Sequence, residues 1–442
     1  MKNKMSLAKK MTIALILGII AGVSMIFIRE NVSLELWTTI DQVLFADISK
    51  AGNESAFGIF FVIGQLFIRS LQVIIIPMVF TSITLAMIKI SDAKKLGRIS
   101  SKTIGTFFLT SVAALIIAGI VGSLISNAGL FGTFDSTGLS ASTGSTSSNP
   151  LMILINAIPA NIVGAFSNNS GVLAIVVLAV ACGLAINHLG EKIEVLPKIC
   201  EEISSIVTIC LSYIVNTFGP ISIFVLITRT FASYGIEYLK PAFAYMLIVT
   251  ILLLLYLVLG YSAFISLLGK LNPIPFIKKI SKVALFGFST SSSAATLPLN
   301  LKTTTEELGV HDEIASFVLP LGMTINMDGT AIMQVIAAIF IASCGGYELS
   351  ISSIFLIAVL ALVASIGTPA APGAGAVVLF TILSGMGYAN DMALMAYTLI
   401  LAINRPIEML VTSLNVVGDS AASIIVAKSE GLLDEEVYNS NK

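Results

Sequence analysis

The sequence predicts an all-α polytopic membrane protein, and three observations support this fold class. The first is composition, because 56% of the 442 residues are hydrophobic, only 11% are charged, and the mean hydropathy is +0.98. A soluble globular protein carries about 25% charged residues, so this chain lacks the charge of a water-exposed surface. The second observation is a series of long apolar runs, and the third is a pair of polar interruptions within such runs.

Eight apolar runs are long enough to cross a bilayer, for which a helix needs about 20 residues. In chain order they are residues 11–28, 56–88, 103–125, 151–186, 203–224, 242–268, 314–342 and 397–427. The first run follows four lysines, but it is too long for the apolar part of a signal peptide and lacks a clear cleavage site. It is therefore predicted to be the first transmembrane helix. The runs 56–88 and 151–186 exceed one span, so a tilt or kink at Pro77 is expected in the first and a division in the second.

The placement of lysine and arginine predicts the orientation of these helices. Basic residues lie at the amino terminus and in residues 89–102, 191–198 and 270–282, whereas residues 129–150 have none and are rich in Ser, Thr and Gly. Alternating spans from a cytoplasmic amino terminus put every basic segment on the cytoplasmic side. Both termini are therefore predicted to be cytoplasmic in a multi-pass cell-membrane protein, with 129–150 as a flexible extracellular loop. The net charge of −1 argues against a nucleic-acid partner.

Two clusters of small, polar or helix-breaking residues interrupt apolar segments in the carboxyl-terminal half. One is STSSSAAT at residues 289–296, and the other is PAAPGAG at residues 369–375. Broken backbone at membrane depth persists only where protein covers it or where it lines a polar cavity. Two such interruptions are typical of secondary transporters, whose sites are formed by discontinuous helices near the membrane midplane.

Ionisable residues within the later apolar runs are few: Asp328, Arg405, Glu408 and Asp419. An ionised side chain in lipid costs about 3 kcal/mol on insertion scales. A binding function is therefore predicted for Asp328 and Asp419, against the alternative of a structural ion pair. Asp328 lies in the sequence NMDGT, whose glycine and short polar side chains disfavour a helix. An unwound turn there would present carbonyl oxygens beside a carboxylate, and such ligands suit Na⁺.

A polar stripe follows in the last apolar run. Glu408, Thr412, Asn415 and Asp419 recur at helical spacing and share one face. A seam that joins helices is the alternative interpretation, but two carboxylates in the stripe favour a binding surface. Arg405 lies three residues before Glu408, a spacing that allows a structural ion pair or a role in substrate binding.

Together these motifs resemble the glutamate-transporter-like family, also called dicarboxylate/amino acid:cation symporters, in its bacterial form. The resemblance covers nearly the whole chain. Its motifs are Thr110-Ser111, SSSAATLP at 291–298, NMDGT at 326–330, SIGT at 365–368, PGAG at 372–375, and Asn415 with Gly418-Asp419. In that order they are similar to the third helix, the first re-entrant hairpin, the seventh helix, the second hairpin (two motifs) and the eighth helix of the family.

The resemblance implies a single membrane domain over residues 1–442, with eight transmembrane helices, two re-entrant helical hairpins and inverted repeats. It also implies a homotrimer whose protomers transport independently by an elevator mechanism. The scaffold that holds the trimer would comprise about 8–90 and 151–226, and the moving transport part about 100–127 and 242–430. The expected partners are an amino acid substrate, membrane lipid and further copies of the chain.

The resemblance also assigns residues to a co-transported Na⁺ and to the substrate, with no organic cofactor. Those implied for Na⁺ are Thr110, Ser111, Gly322, Thr324, Asn326, Asp328, Ser365, Ile366, Thr368, Asn415 and Asp419. Those implied for the substrate are Ser292, Ser293, Met327, Thr330, Ala371, Gly373, Glu408, Val411, Thr412 and Asn415.

The sequence departs from the family where acidic substrates are held. Val411 stands where acidic-substrate members have an arginine, and Ser291 stands where some members have another. A buried carboxylate without its partner costs several kcal/mol, so a small neutral amino acid is predicted, such as serine, threonine, alanine or cystine. Glu408 replaces an aspartate that binds the substrate ammonium, and Asn404 replaces a further acidic residue. The alternative is an acidic amino acid or C4-dicarboxylate held by Arg405, with proton coupling included.

Two other function classes are less well supported. An intramembrane aspartyl protease needs two facing carboxylates that share a proton, which Asp328 and Asp419 would have to supply without a matching catalytic motif. The serine clusters lack a nearby histidine or lysine base. A passive channel would also carry intramembrane carboxylates, but paired interruptions favour alternating access. The protein is therefore predicted not to be an enzyme.

Overall fold

The computed structural model describes residues 7–49, 52–95, 97–131, 155, 158–167, 172–235, 239–366, 368 and 374–440. In this part of the chain the regular structure is helical, apart from one isolated β-bridge that pairs Val310 with Leu433. Seven helical segments there are long and apolar enough to cross a membrane. They are Ile13–Asn31, Ile59–Ile88, Arg98–Asn127, Val195–Ser233, Lys240–Leu267, Asp312–Cys344 and Arg405–Glu430. The predicted all-α, multi-pass membrane protein is therefore confirmed.

The described residues form nineteen α-helices. They are α1 (Leu7–Asn31), α2 (Leu34–Leu44), α3 (Ile59–Lys95), α4 (Arg98–Asn127), α5 (Ile162–Phe166), α6 (Val172–Leu189), α7 (Val195–Tyr213), α8 (Gly219–Tyr234), α9 (Leu239–Leu255), α10 (Tyr261–Leu267), α11 (Pro273–Thr290), α12 (Ser293–Glu306), α13 (Asp312–Ile325), α14 (Asp328–Cys344), α15 (Ile351–Ile366), α16 (Ala374–Met386), α17 (Asp391–Ile403), α18 (Arg405–Glu430) and α19 (Glu435–Asn439). Two π-helical turns, Ile214–Phe218 and Tyr256–Gly260, join α7 to α8 and α9 to α10.

The amino-terminal half packs helices side by side. Helix α1 lies along α8, and α3 packs against α6, α7 and α8. The expected division of the run 151–186 is confirmed, because α5 and α6 are separate helices. Helix α3 continues through Pro77, and a bend at this proline stays a prediction. Most of the predicted loop 129–150 lies outside the described residues.

The predicted boundaries of the run 203–224 were wrong. This run is the middle of a longer helical segment that starts with α7 at Val195 and ends with α8 at Tyr234. Acidic side chains, among them Glu201 and Glu202, lower the hydropathy of the first turns but do not interrupt the helix. The apolar run therefore marks only the part of the helix without charges.

The predicted run 397–427 was also wrong, because it combines parts of two helices. Helix α17 ends at Ile403, and α18 starts at Arg405. Pro406 lies in the first turn of α18. A proline has no N–H donor and a fixed φ, which suits the first turn of a helix and disrupts its interior. Apolar residues before and after the boundary led to one predicted segment, although the boundary itself carries Asn404, Arg405 and Glu408.

The carboxyl-terminal half is built around α14 and α18. Helices α11, α12, α13 and α14 all pack against α18, while α4 and α15 pack against α14. Helices α11 and α12 form one hairpin, and α15 packs against α16. In an 18-residue apolar stretch of the segment that contains α13 and α14, 94% of the residues are buried, and in such a stretch of α18 89% are buried. Polar side chains on these helices are thus surrounded by protein.

Candidate functional site

The helix predicted to unwind at the NMDGT sequence is interrupted there. Helix α13 ends at Ile325 and α14 begins at Asp328. Asn326 (φ −84°, ψ 89°) and Met327 (φ −119°, ψ 42°) between them have non-helical backbone angles. The predicted unwound turn is therefore confirmed. Helix ends leave backbone groups without intrahelical partners, and here two helix ends meet inside the protein.

Asp328 lies directly after this break and is fully buried. The Ser111 hydroxyl donates to its Oδ1 at 2.6 Å, and the Tyr261 hydroxyl donates to its Oδ2 at 3.0 Å. The Tyr256 hydroxyl donates to the carbonyl of Thr110 at 2.6 Å. The structure therefore brings the predicted Thr110-Ser111 pair from α4 to this carboxylate. No ion pair to Asp328 occurs among the described residues.

A second buried carboxylate, Asp419, faces the same break from α18. The Asn326 amide donates from Nδ2 to Asp419 Oδ1 at 2.9 Å and to the carbonyl of Asn415 at 3.4 Å. The Oδ1 of Asn326 is buried without a hydrogen-bond partner in the described part of the chain. Gly322 leaves room for the carboxylate, because a side chain at this position would overlap Asp419 Oδ1. An unpaired acceptor beside uncompensated carboxylates is chemistry that suits a small cation.

Asn415 joins this cluster to the residues predicted for the substrate. Its Oδ1 accepts from the backbone N–H of Gly329 at 2.9 Å. Its Nδ2 lies 3.3 Å from Met327 Sδ and 3.3 Å from Thr330 Oγ1. Asn415 was predicted to bind both Na⁺ and the substrate, and the structure places Met327 and Thr330 beside it. The Asn415 side chain therefore contacts residues predicted for the ion and residues predicted for the substrate.

Glu408 and Arg405 lie at the start of α18. Their side chains approach to 3.4 Å between Arg405 Nη1 and Glu408 Oε2, and each is about one-tenth exposed. Glu408 Oε1 also accepts from the backbone N–H of Ala376 at 3.4 Å, in the first turn of α16. Val411 is buried, with its backbone against Gly329. The direct pair that the spacing allowed is present, and its Glu408 contacts the second hairpin, while a role of Arg405 in substrate binding stays a prediction.

Several predicted residues make only local hydrogen bonds. The Thr324, Ser365, Thr368 and Thr412 hydroxyls donate to carbonyls three or four residues earlier. Ser292 caps α12 by accepting from the N–H of Ala295. Among the described residues, no hydrogen bond joins these side chains to the two aspartates.

The remaining predicted residues are Ser293, Ile366, Ala371 and Gly373. Ser293 is buried at the start of α12, and Ile366 ends α15. Ala371 and Gly373 belong to residues 369–373 of the second polar cluster, all of which lie outside the described residues.

The first hairpin is fastened to α18 by side chains that the sequence interpretation missed. Ser291 ends α11 in the left-handed region (φ 50°), which reverses the chain. In α12, Asn300 donates from Nδ2 to the carbonyl of Val416 at 2.9 Å and accepts from the Ser420 hydroxyl at 2.5 Å. The Thr304 and Ser420 hydroxyls lie 3.0 Å apart. The polar spacing of Asn300 and Thr304 on one helix face was the available signal.

Three further site residues were also missed. Tyr256 and Tyr261 looked like ordinary members of an apolar run, and only the folded structure places the Tyr261 hydroxyl 3.0 Å from Asp328 Oδ2. Gln334 lies one turn after Thr330 and donates to the carbonyl of Gly375 at 3.1 Å. Its buried Oε1 has no partner in the described residues. An amide within an apolar run, at helical spacing from Thr330, was the signal for this residue.

The chain was compared with known proteins. It matches the family described as "Sodium:dicarboxylate symporter family" over residues 7–429. It is 30% identical to the "Proton/sodium-glutamate symport protein" of Bacillus caldotenax, over 85% of this chain and 88% of the relative. It is 28% identical to the "Proton/glutamate-aspartate symporter" of Escherichia coli, over 99% and 96%, and 29% identical to the "C4-dicarboxylate transport protein" of Laribacter hongkongensis, over 85% and 84%.

These relatives are named as transporters, which agrees with a buried polar cluster at a break between two helices and with the prediction that the chain is not an enzyme. The family match spans nearly all of the described helices. The chain therefore belongs to the sodium:dicarboxylate symporter family.

Proposed function

We propose that this protein is a Na⁺-coupled symporter of small neutral amino acids. The observation that carries this proposal is the distribution of charge in the site. Asp328 and Asp419 have no ion-pair partner among the described residues, while Arg405 is already paired with Glu408. Buried carboxylates need a compensating cation, and a side-chain carboxylate on the substrate, in addition to its α-carboxylate, would need one too. Among the described residues of the site, no unpaired cationic side chain supplies either one.

The coupling ion in this proposal is Na⁺, held by oxygen ligands around the break between α13 and α14. The first ligand set is Thr110, Ser111, Asn326, Asp328, Asn415 and Asp419, whose hydrogen-bonded cluster supports the assignment. The second is Gly322, Thr324, Ser365, Ile366 and Thr368, which would contribute mostly backbone oxygens. The second set is supported by the position of Gly322, whose backbone lies so close to the Asp419 carboxylate that a side chain there would overlap it.

The substrate in this proposal is zwitterionic and its side chain carries no charge. Its ammonium group would bind Glu408 in competition with Arg405, and its side chain would face Val411. Val411 is apolar and buried, so an acidic side chain beside it would lack a partner. Ser292, Ser293, Thr330, Ala371, Gly373, Thr412 and Asn415 would complete the contacts, with Met327 between ion and substrate.

The proposed architecture is that of an elevator transporter. Eight transmembrane helices and two re-entrant hairpins, α11–α12 and α15–α16, would form each protomer of a homotrimer, with cytoplasmic termini. Residues 8–90 and 151–226 would be the scaffold, and 100–127 and 242–430 the transport part. Helices α11 to α14 pack around α18, whereas α1 packs against α8 and α3 against α6. These two packing groups support the division.

Uptake into proteoliposomes tests the proposal. With an inward Na⁺ gradient, serine, threonine, alanine or cystine should accumulate against its own gradient, and replacing external Na⁺ with choline should abolish accumulation. A channel cannot concentrate its solute, so accumulation also separates transport from passive flow. The proposal is overturned if aspartate or glutamate outcompetes every neutral amino acid, or if choline supports the same uptake.

The second candidate is a symporter of acidic amino acids or C4-dicarboxylates that uses Arg405, with Na⁺ or protons as coupling ions. The substrates in the names of the relatives favour it. Arg405→Gln separates the two candidates, with Arg98→Gln as the control, because Arg98 is 75% exposed and pairs with Glu430 away from the site. Loss of acid uptake only in Arg405→Gln would support this candidate. This candidate would be excluded if the unmodified protein takes up no acidic substrate and Arg405→Gln still takes up neutral amino acids.

A further inference from the structure

Helix α2 is an isolated amphipathic helix between two membrane-spanning segments. None of its eleven residues is buried. One face carries Glu35, Thr38, Thr39 and Gln42, and the rest of its circumference is mostly apolar. An isolated helix of this length is marginal in water, so its stability comes from covering an apolar face. The described part of the protein leaves much of that face open.

The position of α2 is nevertheless fixed. The carbonyl of Gln42 accepts from the N–H groups of Phe57 (2.9 Å) and Gly58 (3.1 Å), just before α3. Arg229 of α8 donates from Nε to the carbonyl of Phe45 at 2.8 Å. The ring of Trp37 packs on that of Phe45, with 6.2 Å between centroids. Helix α2 is thus held at one end of the group formed by α1, α3 and α8.

The exposed apolar residues of α2 continue the apolar surface of its neighbours. Leu34 is 81% exposed and Leu36 is 51% exposed, and Val43 is exposed as well. Phe27 near the end of α1 and Phe57 before α3 are 67% and 72% exposed. On membrane-spanning helices such side chains face lipid or, in an oligomer, a neighbouring subunit. The apolar face of α2 is therefore continuous with the membrane-facing apolar surface of α1.

Chain geometry places α2 at the boundary of the bilayer. Only Val32 and Ser33 separate the end of α1 from the start of α2, and two residues reach at most about 7 Å. Amphipathic helices in this position lie in the interface with their apolar face among the acyl chains. Helix α2 contains Glu35 and Asp41 but no lysine or arginine, so apolar contact and not attraction to anionic lipid must hold it.

We propose that α2 is an interfacial helix that lies on the membrane, with Leu36, Val43 and Trp37 in contact with lipid. Trp37 is the only tryptophan of the chain. Tryptophan is enriched at membrane–water interfaces, because its ring is apolar and its N–H needs a polar partner. In this position α2 would fix the height of α1 and α3 relative to the bilayer surface.

The single tryptophan allows a direct test in the full-length protein. The protein is reconstituted into phosphatidylcholine vesicles whose acyl chains carry bromine, a contact quencher, either near the glycerol end or near the chain end. Trp37 fluorescence should fall by about twofold with bromine near the glycerol end and by less with bromine near the chain end. Fluorescence that neither lipid quenches would overturn the proposal, whether water or a second copy of the chain covers Trp37.

A pair of matched variants sharpens the result. Leu36→Ser with Val43→Ser removes apolar contacts from the proposed lipid face, whereas Thr39→Ser with Gln42→Ser changes the polar face of the same helix. The first pair should reduce quenching of Trp37 by about twofold, and the second should leave it unchanged. Equal quenching in both pairs would contradict the orientation proposed here. Because the readout is Trp37 fluorescence, it does not depend on which substrate the protein carries.

Discussion

The two central helices, α14 and α18, differ from the peripheral helices α1 and α9 in what surrounds them. In 18-residue apolar stretches of the segments that contain α14 and α18, 94% and 89% of the residues are buried, against 17% and 33% in those of α1 and α9. The central pair carries Asp328, Asn415 and Asp419, whereas the helical residues of α1 between 11 and 28 include no charged side chain. The polar helices are therefore the ones enclosed by protein.

This difference shows how a membrane protein inverts the arrangement of a soluble one. Lipid solvates apolar side chains as well as a protein core does, so a purely apolar helix needs no protein cover. A carboxylate or an interrupted backbone has no partner in lipid and must be placed among protein groups. Burial in this chain therefore marks where the proposed binding residues lie, and side-chain substitutions should have different effects in the two regions.

The largest expected effect is the loss of uptake when a buried carboxylate of the central helices is neutralised. Asp419→Asn keeps the size of the side chain but removes the charge that the proposed Na⁺ compensates. Na⁺-driven uptake should fall by at least about 100-fold, equivalent to about 2.8 kcal/mol. Uptake rates in proteoliposomes at equal protein density measure this. Asp312→Asn at the exposed start of α13 is the matched control and should change uptake little. Normal uptake by Asp419→Asn would contradict the assigned role.

The next effect compares one phenylalanine from each region. Phe340 in α14 is fully buried between the rings of Phe131 and Tyr245, with centroid distances of 5.6 and 5.1 Å. Phe340→Ala should lower the free energy of unfolding by about 3–5 kcal/mol, because it leaves a cavity. Phe27→Ala in α1 removes a side chain that is 67% exposed, so it should lower the free energy of unfolding far less. Thermal unfolding of both variants in one detergent checks this, and equal losses would refute the contrast.

A smaller effect is expected where a charge is buried at the edge of the central group. Lys279 in α11 donates from Nζ to the carbonyls of Glu307 (2.8 Å), Val437 (2.7 Å) and Tyr438 (2.9 Å). It thereby holds the carboxyl-terminal helix α19 against the base of the first hairpin. Lys279→Met should destabilise the protein by about 1.5–3 kcal/mol, since it removes hydrogen bonds from a charged donor.

The exposed neighbour Lys278 provides the matched control for this prediction. Lys278→Met should leave the unfolding temperature nearly unchanged. Limited proteolysis offers a second readout, because a detached α19 should be cleaved faster in Lys279→Met than in Lys278→Met. Identical stability and cleavage in the two variants would show that Lys279 does not anchor the tail.

The parts of this molecule that the sequence predicts are those with strong local signals. Asp328 and Asp419 stand out because ionisable groups are rare in apolar runs, and the NMDGT sequence disfavours a helix by itself. Tyr261 and Asn300 were missed because their partners lie on helices distant in sequence, and nothing local distinguishes a tyrosine that holds a carboxylate from one that packs. The division before Pro406 was missed because apolar residues resume after it, so Asn404, Arg405 and Glu408 were interpreted as polar positions within one helix.

The central claim is that the two buried aspartates are compensated by a bound Na⁺. Thermal unfolding of the purified protein, in NaCl or in choline chloride at equal ionic strength, tests it most directly. Ligand binding to the folded state stabilises it, so Na⁺ should raise the unfolding temperature by about 2 °C or more. The increase should grow when serine or alanine is added and should vanish in Asp419→Asn. Identical unfolding temperatures in Na⁺ and choline, with and without amino acid, would contradict the claim.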